Sequence, residues 1–199
     1  YAVTFADHKC YKGQKKIEKC FLDKCNIDKV ISWKWDDYRK TDYYIKNKAL
    51  YDSHPRGLGY WSWKPCIIYE TMQTISDGDY ILYHDSGRNC YNYDPSYDVR
   101  PFIRYIDTHC NGLGVFFGRY QHNELTKRDC FVLMDCDDKK YHGHKQVVAT
   151  WHFWKKNEFC MKILKDWMYW CFHPSRIISN DASKEPNLPH FRGHRHDQS

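Results

Sequence analysis

The sequence predicts an α/β fold with a mainly parallel central sheet flanked by helices. Three observations favour this class. Short apolar runs typical of strands alternate with longer segments of helical periodicity. One apolar run, at residues 80–83, ends directly on a His-Asp-Ser-Gly sequence, as strands of open α/β sheets do where they place a polar group beside a ligand. The 199 residues suffice for one such domain with a full core. We therefore expect a single domain over residues 1–199, cut from a longer protein.

The first half of the chain alternates between the two kinds of element. Short apolar or alternating runs predict strands, and apolar residues at helical spacing predict helices. In chain order we expect a strand at 2–5, a helix at 15–22, a strand at 30–35, a helix at 36–51, a loop at 54–59 and a helix at 65–76. Pro65 suits the first turn of that last helix. Asp77 and Gly78 then form a turn before the strand at 80–83.

The second half continues the alternation with longer loops. In chain order we expect a loop at 89–95, a helix at 99–109, a strand at 115–117, a helix at 124–134, a strand at 147–153, a helix at 157–172 and a long loop at 179–195. The last loop is rich in Pro, Asn, Gly and His. Strands joined by helices usually pair in parallel, which is why a mainly parallel sheet is expected.

Composition narrows the classes of ligand. The 17 Tyr, 10 Phe and 8 Trp side chains can line a groove for sugars or other ring-shaped ligands. The net charge of +6 is spread along the chain, which favours anionic ligands without requiring nucleic acid. The ten Cys residues include no CxxC pair, and no apolar run is long enough to span a membrane. We expect free thiols, a cytoplasmic location, no membrane span and no nucleic-acid partner.

The strand-end carboxylate of Asp85 is the first candidate for chemistry. A buried strand that delivers a carboxylate beside Gly87 suits a phosphate-bearing ligand held through a divalent metal, because hard cations prefer carboxylate oxygen and keep positions for phosphates. The structural alternative is an Asp that caps the following turn.

Three further segments can contribute. Residues 56–65 (RGLGYWSWKP) combine glycines, Arg56, Lys64 and a helix start, which outlines an anion site. The run at 190–198 combines His, Arg and Asp side chains, which suit metals and phosphates. The charged residues at 126–129 and 135–138 are typical of a solvated helix face or loop, with a functional role as the alternative. Each segment alone also has a structural interpretation: a turn anchored by tryptophan for the first and a solvated basic loop for the second.

Four segments together carry a more specific pattern: residues 56–65, 77–87 (DGDYILYHDSG), 126–129 (TKRD) and 194–199 (HRHDQS). In this order they resemble the signatures of a glycosyltransferase family whose members occur in bacterial polysaccharide loci and in large DNA viruses. The resemblance covers residues 56–199, and the first 55 residues match only as a generic first βαβ unit. It implies a GT-A-like fold for nucleotide-diphospho-sugar transferases. It also implies a nucleotide-binding half at 1–90, an acceptor and catalytic half at 91–199, and the host cytoplasm as the location of a viral member.

The resemblance also assigns roles to residues. Donor-binding residues would be Thr4, Phe5, Ala6, Asp7, Arg56, Trp63, Lys64, His84, Asp85 and Ser86. Asp197 and Gln198 would be catalytic, with Asp197 stabilising the cationic sugar, orienting the donor or holding an acceptor hydroxyl. The acceptor groove would contain Tyr60, Trp61, Tyr91 and Tyr93.

A metal ion is the implied cofactor. Asp85 falls at the first position of a DxD-type motif, and Gly87 stands where the fuller pattern has a second Asp, so one metal carboxylate is missing. His194 and His196 would complete the site for Mn²⁺, which is favoured, or Mg²⁺.

The expected activity is therefore transfer of a sugar from a UDP-sugar donor to a glycan acceptor, metal-assisted and retaining, with further enzymatic domains on the same chain. Other classes remain open from the sequence: a non-catalytic glycan-binding module or inactive relative, a basic nucleic-acid-binding protein, and a zinc protein built on His190, His194 and His196. Binding of UDP with a metal would separate the transferase from the glycan binder. A steep salt dependence of affinity would identify the nucleic-acid binder, and metal analysis the zinc protein.

Overall fold

A computed structural model describes residues 1–87 and 95–199, and in it five strands form one mixed sheet. The strands are β1 (Ala2–Ala6), β2 (Val30–Lys34), β3 (Tyr80–His84), β4 (Leu113–Gln121) and β5 (Lys145–Lys155), in the spatial order β2-β1-β3-β5-β4. β1 pairs in parallel with β2 and β3, whereas β5 is antiparallel to both of its neighbours. Four of the five strands thus run the same way, which confirms the predicted mainly parallel sheet.

The reversed direction of β5 was not predicted, and its cause is the connection that precedes it. Alternating strands and helices predict crossover connections. Between β4 and β5, however, three short helices stay at one end of the two strands, where α8 packs against both strands and α10 against α8. The backbone N–H of His122 donates to the carbonyl of His144 at 2.9 Å, which closes the two ends of this connection. The connection therefore acts as an enlarged hairpin.

Eleven helices surround the sheet in the described part of the chain, several of them single turns. They are α1 (Tyr11–Lys24), α2 (Trp35–Tyr38), α3 (Asp42–Lys46), α4 (Lys48–Ser53), α5 (Gly57–Tyr60), α6 (Trp63–Gln73), α7 (Arg100–His109), α8 (His122–Leu125), α9 (Arg128–Leu133), α10 (Lys139–His142) and α11 (Glu158–Cys171). A 3-10 turn, His196–Gln198, follows a long irregular segment.

The sheet separates two hydrophobic layers, because successive strand side chains point to opposite faces. Ile81 packs on the face covered by α6 and α11, and its neighbour Leu82 packs on the face covered by α1 and α7. The burial of whole aliphatic side chains on both faces contributes about 1.5–3 kcal/mol each to folding. The two layers leave the carboxyl ends of β1 and β3 at one edge of the sheet, and the candidate site lies there.

Two predicted helices are broken in the structure. Residues 36–51 form α2, α3 and α4, because the Thr41 side chain accepts a hydrogen bond from the N–H of Tyr44 and starts a new helix. Residues 124–134 form α8 and α9, because Thr126 and Lys127 adopt extended backbone conformations between them. The short helix α10 was not predicted; it begins where Asp138 accepts the N–H of Lys140.

The turn α5 was predicted as part of a loop, and its backbone is left-handed. Five successive residues, 57 to 61, have φ between +53° and +79°. Hydrogen bonds from Tyr60 N to Arg56 O (2.8 Å) and from Trp61 N to Gly57 O (3.1 Å) give it a helical pattern. Each of the three non-glycine residues, Leu58, Tyr60 and Trp61, costs about 1–2 kcal/mol in this conformation. The rest of the fold must offset that cost.

Two further expectations concern the cysteines and membrane-spanning helices. The nine cysteines in the described segments are all free thiols. Among the helices of residues 1–87 and 95–199, none combines the length and the apolar character needed to cross a bilayer.

Candidate functional site

Asp85 stands where β3 ends, at the centre of the site. Its backbone N–H donates to the carbonyl of Thr150 on β5 at 2.9 Å, so the sheet ladder fixes its position. Its side-chain Oδ1 accepts a hydrogen bond from the Tyr83 hydroxyl at 2.6 Å. The carboxylate is about a quarter exposed and lines two cavities. The structure therefore presents the predicted strand-end carboxylate at the lip of the sheet.

Lys64 lies beneath Asp85 as a fully buried ammonium group. It is the second residue of α6, and its side chain is 2 % exposed. Its Nζ donates to the carbonyl of Ala149 at 2.8 Å, and lies 2.8 Å from Asp197 Oδ2 and 3.4 Å from Asp85 Oδ1. Burial lowers the pKa of Lys64, but the carboxylates of Asp197 and Asp85 outweigh burial and raise that pKa overall. Lys64 is therefore a permanent cation at neutral pH.

Asp197 reaches the same ammonium from the 3-10 turn. Its side chain is 7 % exposed, and its backbone carbonyl accepts a hydrogen bond from Trp167 Nε1 at 3.1 Å. Burial raises the pKa of Asp197 to about 6, with Lys64 opposing the shift and Asp85 adding to it. Burial thus shifts the pKa of Asp197 towards neutrality, and shifted pKa values of this kind are concentrated at functional sites.

Two cavities meet at this group of charges. The first, of about 270 Å³, opens at the end of β1, and we call it the β1 cavity. Of the predicted donor-binding residues, it is lined by Phe5, Ala6, Asp7, Trp63, Asp85 and Ser86. The second, of about 220 Å³, we call the carboxylate cavity. Of the predicted site residues, it is lined by Arg56, Lys64, His194, His196, Asp197 and Gln198, in addition to Asp85 and Trp61.

Some predicted residues lie away from both cavities. Thr4 is buried in β1, where its hydroxyl accepts a hydrogen bond from Gln14 Nε2 at 3.1 Å. His84 points to the opposite face of the sheet and packs edge-on against Phe21. Tyr60 is buried, and its ring stacks on the ring of His196 with the two centroids 4.4 Å apart. Tyr91 and Tyr93 lie outside the described residues.

The side chains near Asp85 do not make a metal site by themselves. In the described part of the chain, no three His, Cys, Asp or Glu side chains come together as a metal-binding group. The Lys64 ammonium sits between the carboxylates of Asp85 and Asp197, where a cation between them would lie. His196 Nδ1 donates a hydrogen bond to the carbonyl of Ile178 at 2.9 Å. The role of Asp85, His194 and His196 as metal ligands, and of Mn²⁺ or Mg²⁺ as cofactor, stays a prediction.

The segment at 126–129, for which the sequence left the role open, holds the long irregular segment that carries Asp197. Lys127 is buried, and its Nζ donates to the carbonyl of Ser179 at 3.1 Å. Burial lowers the pKa of Lys127. Asp129 accepts the backbone N–H groups of Lys184 and Glu185, both at 3.0 Å. These contacts position residues 172–195, which we call the C-terminal loop.

We expect Asp129→Ala to loosen the C-terminal loop by about 1–3 kcal/mol, because two N–H groups lose a charged acceptor. Native-state hydrogen exchange at the amides of Lys184 and Glu185 measures this directly. Asp166→Ala is the matched control, since Asp166 forms an exposed pair with Lys162; it should change stability by less than about 1 kcal/mol. Unchanged protection at the two amides would contradict the role assigned to Asp129.

Sequence reasoning missed two other features of the site. The carbonyl of Ala149 contacts Lys64, and a backbone acceptor leaves no sequence signal. Lys9 lines the β1 cavity two residues after Asp7, and its backbone N–H donates to Asp7 Oδ1 at 3.0 Å. A lysine three residues after the end of β1 was the available signal for Lys9.

Comparison with known proteins agrees with the fold. The sequence matches no protein-family model and no curated protein. The structure is similar to a crystal structure of mouse xyloside xylosyltransferase 1 in its apo form, with a TM-score of 0.51 and 12% sequence identity. The match covers 100% of this chain and 78% of that chain. At this identity the likeness concerns the fold, and it confirms the predicted GT-A-like α/β fold, which this chain shares with a glycosyltransferase.

Proposed function

We propose that this protein is a glycosyltransferase that moves a sugar from a nucleotide-sugar donor to a glycan acceptor. The observation that carries the proposal is the junction of two cavities at Asp85, at the carboxyl ends of β1 and β3. Ligands of open α/β sheets bind outside the carboxyl ends of the strands. The fold shared with a xylosyltransferase supports the same reading.

The β1 cavity is the proposed nucleoside site. The Asp7 carboxylate, just after β1, can accept hydrogen bonds from ribose hydroxyls or from N–H groups of the base. Trp63, stacked on Phe5 at 3.7 Å, forms an apolar wall suited to a flat base. UDP as the carrier follows from the family resemblance.

The diphosphate is proposed to lie at the junction, towards the carboxylate cavity. Among the described residues that line this cavity, Arg56, Lys64 and Arg195 carry positive charge against the carboxylates of Asp85 and Asp197. With both carboxylates ionised, the surplus is one positive charge, which attracts an anionic leaving group. Positive groups fixed in advance stabilise charge that grows on the leaving diphosphate, typically by a few kcal/mol each.

Asp197 is the proposed catalytic carboxylate. Glycosyl transfer passes through a state with positive charge on the sugar, and an ionised carboxylate in a cavity stabilises that charge. Lys64 holds Asp197 in place and favours its ionised form. The proposal includes retention of the anomeric configuration. NMR of the product, through its anomeric proton signals, tests this.

A thermal-shift panel of nucleotides and UDP-sugars, with and without Mn²⁺, tests the proposal. A ligand at 100 times its Kd stabilises by about 2.7 kcal/mol, which raises the Tm of a chain of this size by roughly 5–10 °C. We expect UDP and UDP-sugars to give the largest shifts, and Asp85→Asn to reduce them, with Asp166→Asn as an unaffected control. If no nucleotide raises Tm under either metal condition, the proposed function fails.

A further inference from the structure

Three arginine side chains surround the ring of Tyr120, near the end of β4. The guanidinium carbons of Arg119, Arg192 and Arg195 lie 5.8, 5.4 and 5.2 Å from the centroid of this ring. We call these three arginines the arginine cluster. An aromatic ring attracts cations to its faces. Tyr120 therefore helps to hold together three like charges that repel one another.

Backbone hydrogen bonds fix two of the three arginines in this position. The N–H of Arg192 donates to the carbonyl of Glu124 at 2.7 Å, and the N–H of Arg195 donates to the carbonyl of Leu125 at 3.1 Å. Both carbonyls belong to α8, which directly follows β4. The cluster is therefore built into the fold and needs no ligand to assemble it.

Most of the positive charge of the cluster has no carboxylate partner. Arg192 Nη1 lies 3.5 Å from Glu124 Oε1, and the other oxygen of Glu124 accepts the backbone N–H of Gln121 at 2.9 Å. In residues 1–87 and 95–199, Arg119 and Arg195 form no ion pair with a carboxylate. Three cations thus share one carboxylate, which leaves a surplus of two positive charges. A cluster of one sign raises the local concentration of ligands of the opposite sign.

The cluster lies at the edge of the sheet that carries the candidate site. β4 runs in the same direction as β3, because both are antiparallel to β5. The carboxyl end of β4, with Arg119, therefore lies at the same edge as Asp85. Since β5 separates β3 from β4, these two strands are about 10 Å apart across the sheet. The cluster is thus a lateral neighbour of the site, on the side away from β1.

The cluster adjoins the site through Arg195. Among the described residues, Arg195 lines the carboxylate cavity, whereas Arg119 and Arg192 line neither this cavity nor the β1 cavity. The donor is proposed to occupy these two cavities. The charges of Arg119 and Arg192 therefore lie outside the donor site, and a ligand that extends from the carboxylate cavity past Arg195 meets them.

We propose that the acceptor is an acidic glycan, and that the arginine cluster binds a carboxylate or phosphate group on it. This inference rests on the proposed function. With the nucleoside in the β1 cavity, the acceptor reaches the donor sugar from the side of the carboxylate cavity and β4, where the cluster lies. Guanidinium groups bind carboxylates and phosphates through paired N–H donors. The acidic group thus selects and orients the acceptor.

The acidic group takes no part in bond making, and the reaction remains the transfer of a sugar to a hydroxyl. The bond between the anomeric carbon and the diphosphate oxygen breaks, and its electron pair leaves with the diphosphate. An acceptor hydroxyl oxygen forms the new bond to that carbon, and its proton is released to solvent.

The experiment uses two matched pairs of oligosaccharides: tetragalacturonate with its carboxyl-reduced form, and phosphorylated with unphosphorylated mannotetraose. Calorimetry in the presence of UDP measures the Kd of each for the wild-type protein and for Arg119→Ala/Arg192→Ala. We expect the wild type to bind at least one acidic probe about tenfold more tightly than its neutral partner, and the double variant to lose this preference. The pair that shows the preference identifies the acidic group. The Kd of UDP should change by less than about threefold.

The matched control is Arg100→Ala/Arg104→Ala, which removes the same number of positive charges from α7, where Arg100 pairs with Asp98. It should bind every probe like the wild type. Arg119 and Arg192 are exposed, so the double variant should fold. If its Tm shows that it does not, the single variants Arg119→Ala and Arg192→Ala replace it, and each should lose part of the preference.

Four results would overturn the inference. In the first, wild-type protein binds the acidic and neutral members of both pairs equally. In the second, the α7 control loses as much preference as the cluster variant, so that net charge alone acts. In the third, the cluster variant keeps the preference of the wild type. In the fourth, a thymidine oligonucleotide or vesicles with phosphatidylglycerol bind the cluster more tightly than either acidic glycan, which would assign it to another partner.

The affinity for UDP separates the two proposals. If wild-type protein binds an acidic glycan through the cluster but binds no UDP, the proposed function and the acceptor role fall together. If it binds UDP but does not distinguish acidic from neutral glycans, this inference alone fails.

Discussion

Asp197→Asn is expected to lower sugar transfer and donor hydrolysis by roughly 100-fold, because the site loses the charge that we propose stabilises the cationic sugar. Asn keeps the shape of the side chain, and Asp85 stays beside Lys64 to balance its charge. The fold should therefore persist. The measurement is the rate of UDP release from the donor that the wild-type protein binds, together with Tm and UDP affinity for both proteins.

The pH profile of the wild-type protein gives a second measure of Asp197. Burial raises the pKa of Asp197 to about 6, so the carboxylate is ionised above that pH and protonated below it. Activity should therefore rise with pH through about 6 and then level off. A rate that is flat or falling across this range, or an Asp197→Asn variant that turns over normally, would remove Asp197 from the catalytic role.

Lys64→Met is expected to destabilise the protein by about 3–5 kcal/mol, because it leaves a buried carboxylate without its cation. For a chain of this length that loss lowers Tm by roughly 6–20 °C. The Asp197 side chain is 7 % exposed, its ion pair among the described residues is the one with Lys64, and nearby Asp85 has the same sign of charge. Chemical denaturation at pH 7 measures the free energy of unfolding.

Lys48→Met is the matched control for this effect. Lys48 pairs with Asp52 on an exposed helix face, where its side chain is 60 % exposed. Exposed pairs of this kind contribute about 0–1 kcal/mol, so Tm should barely move. If the two lysine variants lose the same free energy of unfolding, the buried Lys64 ion pair contributes no more to stability than an exposed pair. A Lys64→Met protein as stable as the wild type would contradict the ion-pair arrangement itself.

Local patterns were sufficient to predict the elements that pack both faces of the sheet. The strand that ends on Asp85 and the helix behind Lys64 were expected from apolar runs and from Pro65, and both are present. The reversal of β5 depends on a connection whose short helices have no long periodicity, so the sequence favoured a crossover. One long helix was also expected at 124–134. The structure has two short helices there, and Lys127, between them, donates to the C-terminal loop.

Three charged residues of the candidate site could be predicted from the sequence, but not how they pair. Asp85, Lys64 and Asp197 were each proposed from separate motifs, and the structure brings them to one point. Their ion pairs depend on tertiary packing, which no local spacing encodes. The left-handed turn also escaped prediction: Gly57 and Gly59 indicated a loop, and no local pattern signals the positive φ of Leu58, Tyr60 and Trp61.

The position of Asp197 in the chain has a consequence for biosynthesis. All five strands and the helix that carries Lys64 emerge from the ribosome before Asp197 does. Domains begin to fold during synthesis, so a nascent chain can assemble the sheet while the ammonium of Lys64 still lacks its nearest counter-ion. Pairing of Lys64 with Asp197 can then only follow assembly of the sheet. Under the role that we propose for Asp197, a nascent chain in which this turn has not yet docked would lack activity.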